Sequence, residues 1–188
     1  SFGSGLALQG NKALIGMPAT KNMSAVYVFI FNGNSWVQGQ KLVADNPSLS
    51  YGFGASIAIS DNLALVGVPG GDVGEVYSFS FNGSTWGNRK KFSAHDSRHN
   101  FGRFVILRGN AAVVVATTDY HFQISGDTFG SAAYFFTLEG SQWIERQAIA
   151  STDWRGISVA LSANRLLLGA PTDPTHDDGV GYIYEFPF

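Results

Sequence analysis

The sequence contains no cysteine, few charged residues and no long apolar run. Without cysteine the chain forms no disulfide and no thiolate metal site. Charged residues make up 14% of the chain, against roughly 25% in an average soluble domain. The formal net charge is −2, and without a basic run we expect no nucleic-acid partner. No apolar run approaches the ~18 residues of a membrane helix, so no membrane span is expected.

Glycine and hydrophobic residues are abundant instead. The 188 residues include 23 glycines, and 45% of the chain is hydrophobic, which is enough to build a core. This composition favours many short strands joined by tight turns.

Four segments share one pattern, in which a glycine is followed eight residues later by an asparagine. They lie about 50 residues apart, a period typical of propeller blades. The segments are GSGLALQGN from Gly3, GASIAISDN from Gly54, GRFVILRGN from Gly102 and GISVALSAN from Gly156.

Each segment opens a unit that reads as four strands, A to D. Strands A and B are apolar and are joined by an Asn- or Gly-containing turn, which tolerates positive φ. Strand C is aromatic, and in three units a further tight turn leads to Trp36, Trp86 or Trp143 and strand D. The B strands read ALIGMP, ALVGVP, AVVVAT and RLLLGAP, and the C strands read AVYVFIF, EVYSFSF, AAYFFTL and GYIYEF.

Four copies of a four-stranded antiparallel unit predict an all-β fold of β-propeller blades. We expect blades at residues 2–52, 53–100, 101–154 and 155–188 of one propeller domain or propeller segment. The alternative, a β-sandwich, does not account for a glycine-to-asparagine spacing that recurs four times. The last blade is expected to lack its outer strand, with its open edge covered by another copy or by a segment outside this sequence.

The order Phe-Gly, apolar strand, tight turn, Gly-x-Pro, aromatic strand and Trp resembles the FG-GAP repeat, the blade unit of integrin α-subunit propellers. The motifs are Phe2-Gly3, Phe53-Gly54 and Phe101-Gly102, followed by Gly16-Met17-Pro18, Gly67-Val68-Pro69 and Gly169-Ala170-Pro171. Repeat three departs most, with Ala116-Thr117 in place of the glycine and the proline. The resemblance implies an extracellular or cell-surface protein that works in adhesion, scaffolding or glycan binding rather than catalysis.

Integrin-type blades often hold calcium in an Asp-rich loop between strands A and B. The corresponding turns here contribute at most Asp61, whereas calcium takes six to eight oxygen ligands. We therefore expect no cofactor and no calcium in these turns. Asp173, Asp177 and Asp178 cluster in one loop and are weaker candidates for a metal site, because clustered aspartates in a loop more often form a solvated turn.

Ligand binding is expected on one side of the propeller. In an up-and-down blade the A–B and C–D turns share one side and are tight here, whereas the B–C and D–A loops share the other and are long and varied. Exposed aromatic rings beside polar groups suit a sugar or a partner's side chain. The candidate ligand-binding residues on this side are Trp154, Arg155, Tyr120, His121 and Arg98. For Trp154, packing between blades is favoured over ligand binding.

No catalytic residues are predicted. His95-Asp96 and His176-Asp177 are adjacent pairs, but no nucleophile elbow and no HExxH motif accompany them. The sequons at Asn22 and Asn82 predict N-glycosylation if a eukaryote secretes the chain. The favoured function is therefore an adhesion or scaffold module that contacts other copies, a surface protein or a glycan. The alternative is a lectin that binds its glycan on the long-loop side.

Overall fold

The computed structural model describes residues 1–19, 23–46, 50–70, 73–96, 100–117, 130–151, 158–162, 165–170 and 180–185. Within these residues the chain forms four antiparallel sheets and no helix. The first sheet contains β1 (Leu6–Gln9), β2 (Lys12–Met17), β3 (Ala25–Phe31) and β4 (Trp36–Leu42). The second contains β5 (Ser56–Ser60), β6 (Leu63–Val68), β7 (Glu75–Phe81) and β8 (Trp86–Phe92). The third contains β9 (Phe104–Arg108), β10 (Ala111–Ala116), β11 (Ser131–Glu139) and β12 (Gln142–Ser151), and the fourth β13 (Ser158–Ser162), β14 (Arg165–Ala170) and β15 (Val180–Glu185).

Every strand pairs only with its neighbours in the sequence, so each sheet is an up-and-down blade. The predicted all-β, blade-like fold is therefore confirmed, and the interleaved strands of a sandwich are absent from the described sheets. We number the blades 1 to 4 in chain order. The described part of blade 4 has three strands, and β15 pairs there with β14 alone.

The blades stack in chain order, and each junction buries one apolar cluster. Leu14, Val26 and Val28 of blade 1 pack against Phe53 and Tyr77 of blade 2. A second cluster joins blade 2 to blade 3, and a third joins blade 3 to Leu166 and Leu168 of blade 4. The innermost strands β1, β5, β9 and β13 touch in that order. The central strands β6 and β10 are therefore covered on both faces, which explains their unbroken apolar sequences.

Glycines bring the backbones of successive blades into contact. Gly54 and Gly102, from the Phe-Gly motifs, have φ angles of 91° and 89°, which favour glycine. Their carbonyl oxygens lie against Gly16 and Gly67 of the preceding blade, where a Cβ atom would collide with them. The two glycines of the repeat are thus the two sides of one close contact.

The strand register corrects one assignment in repeat three. Gly16 pairs with Val26 and Gly67 with Val76, and the equivalent pair in blade 3 is Val115 with Ala133. Val115, rather than Ala116, therefore replaces the glycine. Its side chain is buried in the cluster that joins blade 3 to blade 4.

The two ends of the stack expose apolar faces. We call Phe2, Leu6, Ile15, Tyr27 and Trp36 of blade 1 the leading face, because their equivalents in blade 2 are buried against blade 1. Phe2 is 57% exposed against 0% for Phe53, Leu6 is 66% exposed against 8% for Ile57, and Trp36 is 44% exposed against 3% for Trp86. We call Ala160, Leu167, Gly169 and Ile183 of blade 4 the trailing face. Leu167 and Ile183 are 50% and 72% exposed, so neither end of the described stack covers the other.

We expect Gly67→Ala to lower the free energy of unfolding, because its Cβ would push against the Gly102 carbonyl oxygen between blades 2 and 3. Overpacking of this kind costs about 1–3 kcal/mol. Urea unfolding followed by tryptophan fluorescence measures the loss. Gly87→Ala is the matched control, since nothing lies within 4 Å of the added atom. Equal midpoints for the two variants would contradict the close-contact interpretation.

Candidate functional site

The tight turns lie together on one side of the stack, as predicted. The A–B turns contain Gly10, Asp61 and Gly109 at positive φ. The backbone N–H groups of Phe31, Phe81 and Leu138, at the ends of the C strands, donate to the carbonyl oxygens of Asn11, Asn62 and Asn110 in these turns. These bonds place each A–B turn beside the end of strand C and so beside the C–D turn. The asparagine that ends each of these three repeated segments therefore joins two turns.

An open groove of about 990 Å³ lies on the opposite, long-loop side, across blades 1 to 3. It is bordered where β2 and β6 end and where β5 and β9 begin. Its lining residues include Pro18, Tyr51, Pro69, Asn100, Arg103 and Phe104.

Aromatic and polar groups both line this groove. Tyr51 and Phe104 are exposed, and the Arg103 guanidinium lies over the Phe104 ring, 5.6 Å from its centroid. The Asn100 side-chain amide donates to the Thr117 carbonyl oxygen at 2.9 Å. This hydrogen bond holds the segment before β9 against the end of β10 at the edge of the groove. Such a surface offers ring faces for stacking and a cation for a hydroxyl or carboxylate group.

The residues predicted to bind a ligand lie outside the described residues. This applies to Trp154, Arg155, Tyr120, His121 and Arg98, and also to Asp173, Asp177, Asp178 and Asn22. Sequence reasoning missed Tyr51, Arg103 and Phe104, although they flank the Phe-Gly motifs at Phe53 and Phe101. Their position beside a packing motif made them look like part of it.

His95 and Asp96 bind different partners on blade 3. The Nδ1 atom of His95 lies 2.6 Å from Glu145 Oε1, and its backbone N–H donates to Glu145 Oε2 at 3.1 Å. Asp96 instead accepts a hydrogen bond of 2.7 Å from the buried Tyr134 hydroxyl. Both contacts fasten the segment after β8 to blade 3, so these two residues serve the junction between the blades.

Comparison with known families locates the repeat on this architecture. Residues 36–79 match the FG-GAP repeat. This segment of the chain is thus similar to the FG-GAP repeat. The matched segment starts at Trp36 in blade 1, crosses Phe53-Gly54 and the Gly67-Val68-Pro69 motif, and ends in β7 of blade 2. A search of curated proteins found no significant match.

FG-GAP repeats are typical of extracellular and cell-surface proteins that work in adhesion or other interactions. Among the described residues, no helix has the length and apolar character that crossing a membrane requires. The same part of the chain brings together no group of three or more His, Asp or Glu side chains that would hold a metal ion.

The sequon at Asn82 lies in the exposed C–D turn between β7 and β8. The Asn82 Oδ1 atom accepts hydrogen bonds from the backbone N–H groups of Ser84 and Thr85 at 3.0 and 2.9 Å. Asn32 makes the equivalent bonds to Asn34 and Ser35, but its third position is Asn34 and so forms no sequon. The two turns share one geometry and differ in the hydroxyl that glycosylation requires.

We expect Asn82 to carry a glycan, and Asn32 to carry none, when the chain passes through a eukaryotic secretory pathway. Intact mass before and after glycosidase treatment measures the occupancy. Ser84→Ala should remove the glycan at Asn82, and Asn34→Ser should add one at Asn32. An unmodified Asn82 in the secreted chain would refute this prediction.

Proposed function

We propose that the protein is a non-enzymatic, extracellular FG-GAP-like module that acts in adhesion or as a scaffold, through contacts with other proteins. The observation that carries this proposal is the pair of apolar faces at the two ends of the blade stack. Contiguous apolar surface on a soluble protein commonly marks an interaction site. The matched FG-GAP repeat supports the same function class.

The histidine and aspartate side chains at the end of blade 2 also favour a structural role over a catalytic one. The His95 and Asp96 side chains bind Glu145 and Tyr134 across a blade junction and do not face the groove as a pair. We therefore propose no cofactor and no catalytic residue.

We expect a tagged chain, isolated from the surface or medium of the organism that makes it, to elute in complexes larger than its own mass of 20.1 kDa. A double variant, Leu6→Arg with Ile183→Arg, should shift it toward the free chain, because a charge cannot be buried unpaired on an apolar face. Size-exclusion chromatography with light scattering measures both.

Val73→Arg is the control, since it places an arginine on an exposed apolar residue of blade 2, away from both faces. If wild type, control and double variant all elute as 20.1 kDa particles, the proposed function is wrong.

A glycan-binding function is the second candidate, and the groove on the long-loop side favours it. The exposed Tyr51 ring and the Arg103–Phe104 pair supply the stacking surface and the charge that sugar recognition uses. Trp154, Tyr120 and His121 remain predicted contributors on the same side.

If the groove binds a glycan, we expect Tyr51→Ala to weaken binding roughly tenfold, equivalent to about 1.4 kcal/mol. Tyr51→Phe is the matched control, because it keeps the ring face and removes only the hydroxyl. A glycan array selects the ligand, and calorimetry on the best hit measures the affinities. An array without hits, or equal affinities for wild type and Tyr51→Ala, would exclude the groove as a sugar site.

A further inference from the structure

The two uncovered faces are the two halves of an interface that the chain itself builds between its blades. The leading face repeats the surface that blade 2 presents to blade 1. The trailing face repeats the surface that blade 1 presents to blade 2, since the strand register makes Leu167 equivalent to Leu14 and Ile183 equivalent to Val28. Leu14 and Val28 are buried in the cluster between blades 1 and 2. Each exposed face therefore has a known complement, and that complement is the other face.

The leading face already has the conformation of a buried one. The Phe2 and Tyr27 ring centroids lie 5.6 Å apart at 62°, and the equivalent Phe53 and Tyr77 rings lie 5.5 Å apart at 71°. Gly3 has a φ of 87° with nothing within 4 Å of an added Cβ. A partner would therefore meet a preformed surface, which lowers the ordering cost of association.

A cation and an aromatic pair recur across the two faces. In the chain, Lys12 Nζ of blade 1 lies 4.9 Å from the centroid of the Phe81 ring of blade 2 and 6.0 Å from that of Trp86. The register places Arg165 of blade 4 at the position of Lys12, and the leading face exposes Trp36 beside Phe31. The trailing face thus presents Arg165 where the leading face presents rings, and Arg165 is held there by an ion pair with Glu185 of its own blade, Nε to Oε1 2.8 Å.

A serine hydroxyl shows the same correspondence. Ser56 Oγ of blade 2 donates to the Gly102 carbonyl oxygen of blade 3 at 2.7 Å. Its equivalent in blade 4, Ser158, donates to the Gly169 carbonyl oxygen of its own blade at a longer 3.4 Å. The hydroxyl that reaches the next blade within the stack is therefore available at the trailing face for an incoming Gly3 carbonyl.

We propose that the leading face binds the trailing face of a second copy of this chain, so that copies pack head to tail and continue the blade stack. This inference rests on the proposed function and names the partner. The contact is heterologous, since different surfaces of the two copies meet. Blade 4 of one copy takes the place before blade 1 of the next, with Gly169 against Gly3.

The test uses the purified chain alone, in sedimentation velocity across a range of concentrations. Wild type should form particles of at least twice the 20.1 kDa chain mass. Leu6→Arg alone and Ile183→Arg alone should each sediment as the single chain, because each removes one half of every contact. Both side chains are mostly exposed in the single chain, and unchanged circular dichroism would confirm that the variants fold.

An equimolar mixture of the two variants distinguishes the geometry. Leu6→Arg keeps an intact trailing face and Ile183→Arg keeps an intact leading face, so the mixture should recover particles of two copies. If leading faces instead paired with leading faces, or trailing with trailing, at least one of the single variants would stay assembled. Mixing the two variants would then form no new particles. That result would overturn the head-to-tail arrangement. A wild type that stays a single chain would overturn the inference, while large complexes from the source organism would still support the proposed function.

Gly169→Ala tests the close backbone approach. Within the chain its added atom meets only the Ser158 hydroxyl among the described residues, which rotates away, so we expect unchanged unfolding in urea. At the proposed contact the same atom would meet the incoming backbone, as at Gly16, and the particles should fall to single chains at concentrations where wild type is assembled. Assembly equal to that of wild type would contradict a glycine contact between copies.

Discussion

The structure depends on the close approach of two glycines from successive blades. Gly54 and Gly102 adopt a left-handed φ that turns their carbonyl oxygens toward Gly16 and Gly67 of the blade before. With no Cβ on either side, the sheets come near enough for Tyr77 and Phe79 of one C strand to pack in one cluster with Val26 and Val28 of the blade before. The two halves of the FG-GAP motif are far apart in the sequence, but they meet in one contact. The motif is therefore a packing rule between blades rather than a turn within one.

The sheets were predictable from the sequence because every blade obeys the same local rules. Apolar B strands, aromatic C strands and turn residues that accept positive φ recur at matching positions, and the structure confirms the blades they predict. The register of repeat three could not be predicted in the same way, because AVVVAT contains no glycine or proline to align with the other repeats. Only the pairing of Val115 with Ala133 shows which residue replaces the glycine.

The exposed faces could not be predicted, because burial is decided by neighbours. Phe2 and Phe53 have the same motif and equivalent ring partners, Tyr27 and Tyr77, yet Phe2 is mostly exposed and Phe53 is fully buried. The long-loop groove is a similar case. Tyr51 lies in the segment that joins blade 1 to blade 2, Arg103 and Phe104 lie in blade 3, and only the stacking of blades brings them into one groove. The residues that the sequence favoured instead, such as Trp154 and Tyr120, belong to segments outside the described residues.

The valine at position 115 makes the blades unequal members of the stack. Gly16 and Gly67 let two main chains touch, whereas Val115 inserts a side chain at the same place in the third junction. Among the described residues, this level of the third junction holds side-chain packing and no pair of touching glycines, so we expect tension or proteolysis to open the stack there first. Blades 1 to 3 would then stay together as one block, and blade 4 would detach from them.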